Sequence, residues 1–85
     1  MTEYLKDNVG ELLLREHTEH ALKKYLSHLE GHPPLNLYDL VIHEVEEPLF
    51  RIILKHTSGN QTRAASILGI NRATLRRKLR EFHLI

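Results

Sequence analysis

Apolar side chains recur at helical spacing in four stretches of this chain, and no stretch alternates with the period of two that marks a half-buried strand. From about Leu14 to Leu29, the side chains of Thr18, Ala21, Leu22, Tyr25, Leu26 and Leu29 share one stripe, and Gly31 closes the helix. His32, Pro33 and Pro34 form the connection. Asn36 then caps a longer helix, with Asp39 three residues on as in a capping box. Its apolar positions are Leu37, Leu40, Val41, Val45, Leu49, Ile52 and Ile53, and it ends near Thr57. A third helix opens at Asn60 and places Ala64, Ala65 and Leu68 on its apolar side. Gly69 stops it, because the residue just past a helix end favours the left-handed conformation that glycine adopts without steric penalty. Asn71 caps a fourth helix, in which Leu75, Leu79 and Phe82 recur at i, i+4 and i+7. The pattern predicts an all-α fold, a four-helix subunit ending in a helix-turn-helix.

The long central helix has a consequence for assembly. About 20 residues span about 30 Å, more than one small domain can cover on every apolar side. A partner subunit is therefore expected on Leu40, Val45, Leu49, Ile52 and Ile53. Pro48 sits mid-helix, where it lacks an amide donor and clashes with the preceding turn. A loop between two shorter helices is the alternative, but the unbroken periodicity across Pro48 favours a kink. Eighty-five residues make one domain, and a chain so short buries only about 60% of its unfolded surface alone. The expected division is a flexible N-terminal arm (1–13), a helical dimerisation core (14–57) and a helix-turn-helix region (58–85), all within one structural domain.

Charge is distributed unevenly over this frame. Ser58 to Ile85 carries six cations against one anion, whereas Met1 to Thr57 carries six against ten, so the net +1 conceals an acidic body on a basic foot. Such asymmetry orients a molecule on a polyanion. On the fourth helix, the side opposite Leu75 and Leu79 holds Ala73, Arg77 and Arg80, flanked by Arg72 and Arg76 on one edge and by Thr74 and Lys78 on the other. A recognition helix enters the major groove by its N-terminal turns, so Asn71, Arg72, Thr74 and Arg76 are placed for base edges and the remaining cations for phosphates. An isolated charge run is usually a solvated face. Here the turn, the caps and the charge coincide, which favours double-stranded DNA as the partner.

Other chemistries find little support. Without cysteine there is no disulfide framework or thiolate metal site, and without an apolar run near 18 residues there is no membrane span. The N-terminus lacks the basic start and apolar stretch of a signal peptide, so a cytoplasmic protein is expected. His17 with His20, and His28 with His32, have ligand-like spacing but no obvious third ligand, and His43-Glu44 lacks the second histidine of a zinc-protease motif. These histidines are expected to be solvated. Glu44, Glu46 and Glu47 read as a solvent face that repels DNA from the body. No nucleophile triad or phosphate-binding glycine loop is present, so neither an enzyme, a cofactor nor a small-molecule ligand is expected.

The run GNQTRAASILGINRATLRRKL, preceded by LYDLVIHEVEEPLF, resembles the Fis family of bacterial nucleoid proteins (factor for inversion stimulation), and the similarity extends back to LREHTEHALKKYL. The C-terminal domains of NtrC-type activators share a weaker version. The LYDLV-x-x-EVE-x-PL segment, with no ATPase domain attached, sets this chain apart from them. The alternative is a protein-interaction module in which the long central helix docks a larger partner, against which the charge balance of the C-terminal third favours DNA. The resemblance implies an intertwined homodimer in which a proline-kinked helix, bent at Pro48, crosses its twin. It implies that Asn60, Thr62 and Arg63 hold DNA backbone, and that Asn71, Arg72, Thr74, Arg76, Arg77 and Lys78 make groove and phosphate contacts. In that family the two recognition helices lie closer together than one turn of straight B-DNA, so DNA bending, nucleoid association, transcription regulation and contact with transcription machinery are implied too. Family members can carry an N-terminal β-hairpin arm that touches a DNA invertase. The dozen or so residues before the first helix here are leucine-rich and acidic rather than alternating, so stimulation of recombination is not expected.

Overall fold

The computed structural model describes residues 13–85, which form four helices: α1 (Leu14–Ser27), α2 (Leu37–His56), α3 (Gln61–Leu68) and α4 (Arg72–Glu81). Nearly all of the expected N-terminal arm lies outside the described residues. The chain divides into two units, Met1–Leu35 and Asn36–Ile85.

In the first unit α1 buries none of its residues. Thr18, Leu22 and Leu29 are half-buried, while Ala21, Tyr25 and Leu26 of the same stripe are exposed. The helix ends two residues before the expected Leu29, because its last turn tightens: the Ser27 hydroxyl donates to the Lys24 carbonyl at 2.8 Å, and the His28 N–H is shared between Lys24 and Tyr25. Glu30 and Gly31 then take left-handed backbone, with φ of 52° and 85°, and turn the chain out of the helix.

The second unit begins with a departure from expectation. Asn36 is left-handed (φ 53°) and its side chain caps nothing. A capping side chain reaches the first-turn amides only from an extended backbone, so the left-handed turn removes the expected capping box. The helix that follows runs through Pro48 without interruption, which rules out a loop between two shorter helices. Proline has no N–H to give the Glu44 carbonyl, and that ladder bond is missing. At the other end the Thr57 hydroxyl, in a residue only 3% exposed, donates to the Ile53 and Leu54 carbonyls, both at 3.1 Å. Ser58, left-handed at φ 53°, closes the helix: its N–H donates to Lys55 O at 3.0 Å and the Gly59 N–H to Leu54 O at 2.8 Å.

The core of this unit is Phe50, Ala64, Ala65, Leu75 and Leu79, with Ile53, Leu54, Leu68, Ile70, Phe82 and Leu84 packed around it. Leu75 and Leu79 are essentially sealed, each contributing on the order of 2 kcal/mol by burial. Phe50 was not among the expected core positions. It belongs with Ile53, Leu54 and Thr57, three, four and seven residues on, on a face of α2 that meets the helix-turn-helix. Ile53, expected at a subunit interface, packs against this core for the same reason.

A different face of α2 is uncovered. Tyr38, Ile42, Val45, Leu49 and Ile52 follow one another at alternating intervals of four and three residues, the spacing of a helix–helix seam, and all are exposed. Leu40 is exposed on another side of the helix, and Pro48 is half-buried beside the seam.

Candidate nucleic-acid interface

The helix-turn-helix is assembled by local hydrogen bonds. Asn60 Oδ1 accepts the Arg63 N–H at 3.0 Å at the start of α3, and Asn71 Oδ1 accepts the Ala73 N–H at 2.7 Å at the start of α4. Between them Gly69, at φ 71°, lets its own N–H reach Ser66 O at 3.2 Å and the Ile70 N–H reach Ala65 O at 3.1 Å. Ala64 and Ala65 are both buried, and methyl groups at these sites let α3 lie close against the core formed by Leu75 and Leu79. Each capping asparagine has committed its oxygen to the backbone. The group left to reach outward is its amide nitrogen, a donor suited to phosphate or to a base acceptor.

With Leu75 and Leu79 turned inward, the opposite side of α4 faces solvent. Asn71, Arg72, Ala73, Arg76, Arg77 and Arg80 are exposed, and Thr74 is half-buried. At the start of α3, Thr62 and Arg63 are exposed as well. Among the described residues no ion pair engages Arg63, Arg72, Arg76, Arg77 or Arg80. Five unpaired guanidiniums on a surface without a neighbouring carboxylate partner form an anion-binding face.

Lys78 stands apart from this set. Its ammonium lies 3.1 Å from Glu46 Oε1 on α2, with both side chains about one-fifth exposed, and 3.9 Å from Glu81. Glu46 is therefore no part of a free acidic face, and Glu47 pairs with Arg51 at 3.1 Å; Glu44 is exposed. His43 is exposed, and one side of its ring lies 4.5 Å from that of Phe82. Phe82 in turn lies 6.1 Å from Phe50. Among the described residues no group of three His, Asp or Glu side chains could hold a metal ion, and no helix is long and apolar enough to cross a membrane.

Residues 41–82, from the first half of α2 to the end of α4, match a family model described as bacterial regulatory protein, Fis family. The DNA-binding protein Fis of Glaesserella parasuis is 51% identical over 69 residues, covering 81% of this chain and 70% of that protein. The proteins of the same name from Aliivibrio fischeri and Proteus mirabilis are each 47% identical over 77 residues, covering 91% of this chain and 79% of theirs. The chain belongs to the Fis family. The matched segment contains the whole helix-turn-helix together with Glu46, Pro48 and Phe50, so what defines this Fis-family chain includes the part of α2 that packs on the basic helix as well as the basic helix itself.

Proposed function

We propose that this chain is a homodimeric, nucleoid-associated DNA-binding and DNA-bending protein that regulates transcription in the bacterial cytoplasm. The observation that carries the reading is the set of unpaired, exposed arginines on the outer side of α4, held by a helix-turn-helix whose caps and core are complete. The relatives' name, DNA-binding protein, supports it.

Arg72 and Arg76, with Asn71 and Thr74, lie on the N-terminal turns that enter the major groove, where a guanidinium fork matches guanine O6 and N7. Arg77 and Arg80 follow further along α4 and serve phosphates, while Asn60, Thr62 and Arg63 hold the backbone from the start of α3. The exposed seam of α2 pairs with that of a second copy, with Val45 at its centre, Leu49 and Ile52 toward its C-terminal end and Pro48 beside it. Only Thr57 to Asn60 separate α2 from α3, and Thr57 is buried, so the recognition helix follows the crossing of the two α2 helices with little freedom. As in the family, two recognition helices set closer than one helical turn require the duplex to bend and its central minor groove to narrow. A/T-rich tracts yield to this most readily, since they are already narrow.

Two measurements test the reading. Arg72→Ala should cost about 1 to 3 kcal/mol on a preferred site and relax base choice at one position per half-site, whereas Arg63→Ala should weaken all sequences alike. Sites differing only in their central base pairs should favour A/T over G/C by about 1 kcal/mol or more in total, with bent DNA in gel-permutation assays. Equal affinity for both centres on straight DNA would leave an ordinary helix-turn-helix protein and remove the bending mechanism.

A further inference from the structure

We infer that Lys78 is a positioning residue rather than a DNA contact: its ion pair with Glu46 clamps α4 to α2 and sets the angle at which the arginine face is presented. The inference rests on the DNA-binding function proposed above and assigns to one residue of the basic helix a different task.

The geometry separates Lys78 from its neighbours. The other cations of α4 are exposed and unpaired, whereas Lys78 has only about one-fifth of its side chain exposed and points its ammonium at Glu46 Oε1, 3.1 Å away and 32 residues distant in sequence. A second carboxylate, Glu81, lies 3.9 Å from the same nitrogen. An ammonium shared by two carboxylates has little field left to offer a phosphate, and withdrawing it toward DNA would leave the half-buried Glu46 without a partner. On the next turns of the same face of α2, His43 packs on Phe82 and Phe50 lies in the core. Polar and aromatic contacts thus meet along one line where α4 rests on α2. The apolar part of that line resists separation but tolerates sliding. A directional bond between fixed ends restricts the slide.

Electrostatics and positioning predict opposite signs for one variant. If Lys78 served DNA, Glu46→Gln would release it and remove a negative charge, so binding would tighten and the salt dependence would steepen; Lys78→Met would flatten the slope of log K against log salt by about 0.9 for each subunit of the bound dimer. If the pair positions α4, Glu46→Gln weakens binding to a preferred site even though it makes the protein more positive. We expect Glu46→Gln and Lys78→Met each to lose about threefold to tenfold on a duplex enriched from a random library by the parent chain, with the double variant no worse than either. On scrambled duplex, Glu46→Gln should show no such loss, so its ratio of specific to random affinity falls. The reversed pair, Glu46→Lys with Lys78→Glu, should recover part of that ratio. Amide hydrogen exchange along α4 without DNA supplies a second readout, in which the single variants should lose protection and the double variant should show coupling between the two sites. Tighter binding by Glu46→Gln, or additive effects in both assays, would overturn the clamp. Coupled exchange in a parent chain that binds no DNA would uphold the clamp and overturn the proposed function instead.

Discussion

The two ends of the described chain solve the burial problem differently. From Phe50 onward the chain closes on itself: three helices share one core, each helix end is capped, and no buried side-chain polar atom among the described residues lacks a partner. From Leu14 to Ile52 the helices are as regular, yet α1 buries nothing and α2 shows an exposed seam from Tyr38 to Ile52. Helical pattern is equally clear in both regions, so pattern alone does not say where the apolar side goes. The closed end uses small residues, a glycine turn and helices of eight and ten residues that fold back within reach. The open end includes one helix of 20 residues, about 30 Å long, with a seam of exposed apolar side chains along it.

The sharpest way to break this contrast is to charge the seam. Ile52→Asp sets two carboxylates against apolar side chains in the proposed dimer, and we expect a loss of about 4 kcal/mol or more in dimer stability, roughly a thousandfold in the dissociation constant. Because the core of the closed end is small, the released subunit should unfold at micromolar concentration. Sedimentation and circular dichroism together decide it: a folded Ile52→Asp monomer that melts at the parent temperature would show that the open end needs no partner. Leu79→Ala is the counterpart at the closed end and should cost about 2 to 5 kcal/mol through lost burial and a cavity. Denaturant titrations at two protein concentrations separate the cases, since the Leu79 penalty acts within each subunit.

What the sequence made legible follows the range of the interactions. The Asn60 and Asn71 caps and the Gly69 turn are made with atoms a few residues away, and all three occur where local pattern places them. The Lys78–Glu46 pair spans 32 residues, and His43 meets Phe82 over a similar reach, so no local pattern announces either. Phe50 was hidden for a subtler reason. A helix with two apolar faces fills its periodicity nearly all the way round, and the face that binds in cis cannot be told from the face left exposed. Asn36 shows that a capping sequence is insufficient when the backbone enters left-handed.

The caps allow a finer test, with one position in each region. Asn71→Ala removes the acceptor for the Ala73 N–H and should cost about 1 kcal/mol, whereas Asn36→Gly, which removes no such bond and keeps the left-handed backbone free of strain, should fall within about 0.5 kcal/mol of the parent. Thermal melts of the two variants under the same conditions make the comparison. An Asn36 penalty as large as that of Asn71 would mean that α2 is capped in solution in a way this structure does not contain.

The smallest effect is expected on α1, and it probes whether the open end has electrostatic support of its own. A hydrogen bond and ion pair from Lys23, 2.9 Å away, hold the Glu19 carboxyl below the ordinary carboxylate range. A carboxyl lowered in the folded state favours folding at pH values above its unfolded pKa, and that contribution is lost as the pH falls through the lower, folded value. The relevant window therefore lies in the acid range, below neutral pH. Glu19 and Lys23 are both largely solvated, and such i,i+4 pairs are screened by water and salt. We accordingly expect Glu19→Gln to change the melting temperature little at pH 7 and to show a slightly shallower loss of stability on acidification than the parent. Melts of both proteins from pH 7 down to pH 3, at low and high salt, read this directly. A large, salt-sensitive drop at pH 7 would mean that α1 depends on its surface charges, and that the open end is held by more than an apolar partner.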